Sequence, residues 1–151
     1  MILNKIYLGR FPIMLQSELC ILNKFDTNCI DKQDRNTAII FRNYNFNNNN
    51  VILKLKRYCK KNGYKFFVSN NIKLAINLNL DGAYIPAFNN SLKHLSFSTN
   101  KNFMLLGSAH NNKEIKIKEL QKVNTIFLSS LFKKNKNYLG LNKFKLLSNL
   151  T

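Results

Sequence analysis

The chain has 151 residues, 45% of them hydrophobic, and a formal charge of +17 from 24 Lys and Arg against seven Asp and Glu. That length suits one domain around one core, and the hydrophobic share excludes a disordered chain. A charge of this sign attracts polyanions, yet lysine far exceeds arginine, asparagine is abundant and the positive residues are spread along the whole sequence. Without an arginine-rich run, an aromatic ribonucleoprotein motif or zinc-finger spacing, the pattern reads as biased residue usage, and no specific nucleic-acid partner is expected.

Cys20, Cys29 and Cys59 form no C-x-x-C pair and are odd in number, so the spacing suggests neither a disulfide framework nor a structural zinc site. No stretch approaches about 18 uninterrupted apolar residues, and the N-terminus lacks an apolar run with a small-residue cleavage site. Neither export nor a membrane partner is expected, and a cytoplasmic location is.

Short apolar runs alternate with amphipathic segments, the pattern of repeated βα units and a parallel sheet. In chain order the predicted strands are Ile6 to Leu8, Thr37 to Arg42, Lys65 to Ser69, Gly82 to Pro86, Phe103 to Ser108 and Thr125 to Ser130. Asn47 to Asn50 reads as a loop ending in an Asn N-cap. From Val51 to Asn62, Val51, Ile52, Leu55, Tyr58 and Cys59 share one helical stripe. Gly63 supplies the left-handed residue that ends this helix, with Lys60 and Lys61 at its negative pole.

A second helix is predicted over about Ile72 to Asn79, with Ile72, Ala75 and Ile76 on one face. Ser91 to Asn100 reads as a loop with a short helix around Leu92 and Leu95. A third helix, about Lys113 to Lys122, is predicted to bury Ile117 and Leu120, and a last short one spans Asn142 to Leu150.

Several segments carry a more specific message. Strand 2 reads Ile40-Phe41-Arg42-Asn43-Tyr44, strand 3 runs into Ser69-Asn70-Asn71-Ile72-Lys73-Leu74-Ala75, and strand 4 lies within Asp81-Gly82-Ala83-Tyr84-Ile85-Pro86-Ala87-Phe88-Asn89. Strand 5 ends in Gly107-Ser108-Ala109-His110, and strand 6 reads Phe127-Leu128-Ser129-Ser130-Leu131-Phe132, leading to Lys136 and Gly140. In order and separation these segments resemble the thiamine phosphate synthase and thiazole tautomerase superfamily. Its landmarks are Q-x-R-x-K, N-D-R, D-G-x-H-x-G-x-x-D, G-x-S-x-H and a phosphate-binding loop after strand 6.

The resemblance implies an α/β fold, a (β/α) TIM-type barrel, here incomplete with about six parallel strands in a single domain over residues 1–151. A full barrel usually takes roughly 200 to 250 residues. On this reading strands 7 and 8, and the thiazole phosphate loops they carry, lack room. Open barrel edges of that kind call for a homo-oligomer or a covering partner.

The resemblance also implies transfer of a pyrimidine from its pyrophosphate to a thiazole phosphate, with Mg²⁺ held by two aspartates. Asn70 and Asn89 stand at those two positions, degenerate as metal ligands because amides lack the charge a hard dication needs. Metal binding is therefore not expected, and transferase activity is expected to be reduced or lost. Arg42, Ser108 and Lys136 are the expected phosphate contacts to a phosphorylated pyrimidine or thiazole.

Arg42 is also readable as a solvated strand-end residue, and Lys133 to Lys136 as a solvated loop. His110, just past strand 5, is the one candidate for acid–base catalysis, with a backbone-bonded loop histidine as the alternative. Ser130 occupies the place of the tautomerase histidine. His94 receives no role. The second functional reading is a non-catalytic binding or assembly protein on the same fold.

Overall fold

The computed structural model describes residues 19–44, 49–128, 138 and 140–149. Its strands are β1 (Leu19–Leu22), β2 (Ala38–Phe41), β3 (Lys65–Ser69), β4 (Gly82–Ile85), β5 (Met104–Ala109) and β6 (Thr125–Leu128). Its helices are α1 (Thr27–Asp31), α2 (Asn49–Lys61), α3 (Ile72–Asn77), α4 (Asn112–Leu120) and α5 (Gly140–Asn149), with a 3₁₀ turn at Lys93–Ser96. The six strands are ordered β1-β2-β3-β4-β5-β6 and run parallel. Sequential parallel order with intervening helices is that of a (β/α) barrel, six strands of which lie among the described residues.

Among the described residues, one compact unit takes in residues 19–84 and 97–104. β2 is buried at all four positions, and β3 at every position after Lys65. A parallel strand covered on both faces has no polar side to display, which is why Ala-Ile-Ile-Phe and Phe-Phe-Val read as unbroken apolar runs. Ile39, Ile40, Phe66, Phe67, Leu55 and Cys59 lie within 2% exposure of complete burial. Truncating either phenylalanine to alanine is worth about 3–5 kcal/mol at such a site.

Short polar side chains close the helix starts. Asp26 accepts from the Cys29 amide at 3.0 Å to cap α1, and Asn71 accepts from Leu74 at 3.0 Å to cap α3. At the end of α2, Gly63 takes a φ of 73°, the left-handed residue expected there. Phe66 N–H donates to the Asp81 carboxylate at 2.8 Å, tying β3 to the residue before β4. A Cβ on Gly82 would lie 1.9 Å from the Met104 carbonyl oxygen, so only glycine lets the two backbones approach this closely. Asp81-Gly82 thus answers to backbone packing.

The other unit takes in residues 85–96 and 105–149 among those described. β5 and β6 pair in register from Leu106 with Thr125 to Ala109 with Leu128. Asn111 caps α4 by accepting from Glu114 N–H at 2.9 Å, and the Glu114 carboxylate reaches back to accept from His110 N–H at 2.7 Å. This is a variant of the reciprocal capping arrangement, shifted outward by one residue.

Several sequence expectations need correction. The strand that pairs with β2 is Leu19–Leu22, whereas Ile6 to Leu8 lie outside the described residues. Asn49 and Asn50 belong to α2 rather than to the loop before it. On α4 the buried residues are Ile115 and Lys118, while Leu120 is 64% exposed. The reason lies opposite the helix. Gly107 leaves room for the Lys118 stem, and loop carbonyls after β4 require donors that Ile117 and Leu120 lack.

Candidate functional site

Ligands of parallel α/β proteins gather at the carboxyl ends of the strands, where loops and helix starts converge. A cavity of about 220 Å³ lies at that end of β2 and β3, lined by Phe41, Asn43, Tyr44, Ile52, Val68, Ser69, Asn70, Asn71 and Leu74. The strands place these groups directly: Phe41 and Val68 are register partners, and the chain continues from them into Asn43–Tyr44 and Ser69–Asn71. Tyr44 Oη lies 3.3 Å from Ser69 Oγ, and Asn43 Nδ2 donates to the Asn23 carbonyl at 3.1 Å.

Asn70 sits at a φ of 61°, and its N–H donates to the Tyr84 carbonyl at 2.8 Å. Asparagine is among the few side-chain-bearing residues that occupy this region readily. The lining combines apolar side chains with amides and hydroxyls, and it has no carboxylate, lysine or arginine. Such walls can hydrogen-bond an uncharged polar ring. They offer no hard anionic ligand to a dication.

A larger cavity, about 630 Å³, opens near the start of β3 and is lined in part by Lys56, Lys60, Lys65, Asn79, Asp81 and Asn100. Two of its three lysines have structural explanations. Lys56 Nζ donates to the Leu78 carbonyl just past α3 at 2.7 Å, and Lys60 lies in the last turn of α2. Both therefore complement helix C-termini, whose partial charge repels anions. Size alone does not make this the site.

The expected site residues fall as follows. Arg42 follows β2 and is exposed, its N–H donating to the Leu22 carbonyl at 2.7 Å, and it is not among the residues lining the smaller cavity. Asn70 does line it. In the other unit Ser108 is buried on β5, and His110 is half-buried at the strand end, with its N–H held by Glu114. Lys136 and Ser130 lie outside the described residues, and Gly140 opens α5 at a φ of 68°.

Asn89 has a defined structural task. Its Oδ1 accepts from Ser91 N–H at 2.8 Å, while its carbonyl accepts from Lys118 Nζ at 2.8 Å and Gln121 Nε2 at 2.9 Å. Neither Asn70 nor Asn89 supplies a carboxylate, so the Mg²⁺ implied by the resemblance does not fit the donors present. Among the described residues, no group of three or more His, Cys, Asp or Glu is placed to hold a metal ion.

Sequence reasoning missed the buried polar cluster next to Asn89. Lys118 Nζ also donates to Gln121 Oε1 at 2.9 Å, Gln121 Nε2 donates to the Ser91 carbonyl at 3.0 Å, and His94 Nε2 lies 2.8 Å from the Gln121 carbonyl. Burial pushes the Lys118 ammonium down to about 8, against the opposing pull of Glu114. No periodicity argument flags a lysine that packs its stem over a glycine and points its amine inward.

A parallel α/β chain in sequential barrel order, with its polar cavity at the strand ends, defines a (β/α) barrel-class protein. Residues 28–151 match the thiamine monophosphate synthase family, and the chain belongs to that family. Among curated proteins none matches closely enough to stand as a relative. No helix among the described residues is long and apolar enough to cross a membrane.

Proposed function

We propose that this family member binds a phosphorylated pyrimidine at the carboxyl ends of its strands without needing Mg²⁺, and that its transferase activity is reduced or lost. The observation that carries the reading is the uncharged lining of the smaller cavity, with Asn70 standing where the family has a metal-binding aspartate. Amides and hydroxyls offer paired donors and acceptors to a pyrimidine edge. The same groups do not stabilise a departing pyrophosphate in the way a metal ion and carboxylates do. Arg42, Ser108 and Lys136 remain the proposed phosphate contacts, and His110 the proposed acid–base group if turnover persists.

Calorimetric titration with hydroxymethylpyrimidine pyrophosphate, run with Mg²⁺ and with chelator, tests the binding. A parallel assay for thiamine phosphate with both substrates tests the chemistry. Equal affinity in both titrations with no product supports the proposal. Affinity that requires Mg²⁺, or rapid Mg²⁺-dependent product formation, restores the transferase reading that family membership favours.

A further inference from the structure

Cys20 and Cys29 are nine positions apart, one on β1 and the other on α1, yet their Sγ atoms lie 3.5 Å from each other. Both are free thiols, Cys20 buried and Cys29 half-buried. Joining them requires the sulfurs to close by only about 1.5 Å, to the roughly 2.05 Å of a disulfide, within the reach of side-chain rotation. The helix that carries Cys29 is fixed from its first turn, because the Cys29 N–H donates to the Asp26 carboxylate. Cys59, the third thiol, is fully buried on α2.

We propose that Cys20 and Cys29 are a thiol–disulfide exchange site that reacts with a low-molecular-weight disulfide to form a reversible internal crosslink. Cys29 is the accessible partner, and its thiolate attacks one sulfur of the small disulfide, releasing the first small thiol. Cys20 then loses its proton to solvent and attacks Cys29 Sγ, breaking the mixed bond and releasing the second small thiol. Two protein thiols are oxidised and one disulfide is reduced to two thiols, so electrons and protons balance. Burial, followed by the hydrogen bond to Cys29, holds the Cys20 thiol protonated, which assigns it the second step.

The crosslink would bear on the candidate site. The segment it closes contains Asn23, whose carbonyl accepts from Asn43, a wall of the 220 Å³ cavity.

The test incubates the native full-length chain with glutathione disulfide, blocks remaining thiols after unfolding, and maps tryptic peptides without reduction. Lys24 separates the cysteines, so trypsin places Cys20 in Phe11–Lys24 and Cys29 in Phe25–Lys32. The expected result is these two peptides joined, separated again by dithiothreitol, with Cys59 alkylated. The Cys59→Ala variant should still crosslink, whereas Cys20→Ser should stop at a glutathione adduct on Cys29. A stable adduct on Cys29 in the unmodified protein, a link through Cys59, or full alkylation of all three cysteines would overturn the proposal. The wild-type map decides the matter even where a variant fails to fold.

Discussion

Lys118 Nζ and the Asn89 backbone carbonyl, on α4 and in the loop after β4, are 2.8 Å apart in an environment where Lys118 has no exposed surface. The lysine replaces solvent for that loop, and Gln121 completes the arrangement by donating to both Asn89 and Ser91. Lys118→Met keeps most of the stem volume and removes a buried charge, leaving Gln121 Oε1 as the group that loses its partner. We expect a cost of about 1–2 kcal/mol. Gln121→Leu strips two loop carbonyls of a donor and should cost more, about 2–4 kcal/mol. Urea unfolding of both variants checks the order.

The same lysine sets a pH dependence. Its folded value of about 8 lies below the ordinary 10.5, so between those limits the unfolded chain binds more protons and this contribution to stability rises with pH. The buried thiols act oppositely. Cys20 and Cys59 are raised from 9.0 to about 12, mainly by burial, so the folded chain holds protons that the unfolded one releases above pH 9. Tyr58, raised to about 12 chiefly by its hydrogen bond to Asp31, adds to that fall from pH 10. Stability measured with reductant present should climb shallowly from pH 8 to 9 and decline beyond it. Lys118→Met should abolish the climb and keep the decline.

Gly82 is the position where the smallest change should do most. A methyl there meets the Met104 carbonyl oxygen at 1.9 Å and Phe67 Cε1 at 2.7 Å, and the first is backbone. Gly82→Ala therefore has to move the chain at Met104, and we expect a loss of about 3 kcal/mol or more, at the upper end of overpacking costs. Gly107→Ala meets Lys118 Cδ and Val123 Cγ1 at 3.0 Å each, both side-chain atoms, and should cost less. Thermal unfolding midpoints in that order would confirm that one glycine accommodates backbone and the other side chains.

These positions explain what the sequence could convey. β2 to β6 were legible because strands buried on both faces leave continuous apolar runs between turn residues. Leu19–Leu22 was not singled out, because this four-residue apolar run follows two others of similar length, Ile6 to Leu8 and Ile13 to Leu15, and nothing in the sequence ranks the three. Asp81-Gly82, part of the strand 4 segment that carries the family resemblance, proves to serve backbone packing, so it carried the fold without carrying the chemistry. The α4 face was misread because Lys118 and Gln121 turn polar groups inward toward the loop after β4, a pairing of residues about 30 positions apart. Asn43, Tyr44 and Ser69 were likewise unforeseeable as neighbours, because their meeting depends on the register of β2 and β3.

The candidate site yields the sharpest contrast between variants. Tyr44 is 52% exposed, and its hydroxyl faces Ser69 Oγ at the rim of the smaller cavity, so Tyr44→Phe should change stability by less than about 0.5 kcal/mol. If a pyrimidine seats against that rim, the lost hydroxyl removes a hydrogen bond worth about 1 kcal/mol, or roughly fivefold in affinity. Arg42→Ala should act through the phosphate instead, weakening the pyrophosphate ligand while leaving the unphosphorylated hydroxymethylpyrimidine unaffected. Titrating both ligands against both variants separates the contributions. A pyrimidine whose affinity ignores Tyr44→Phe does not use this rim, and the ligand site must then be sought away from the ends of β2 and β3.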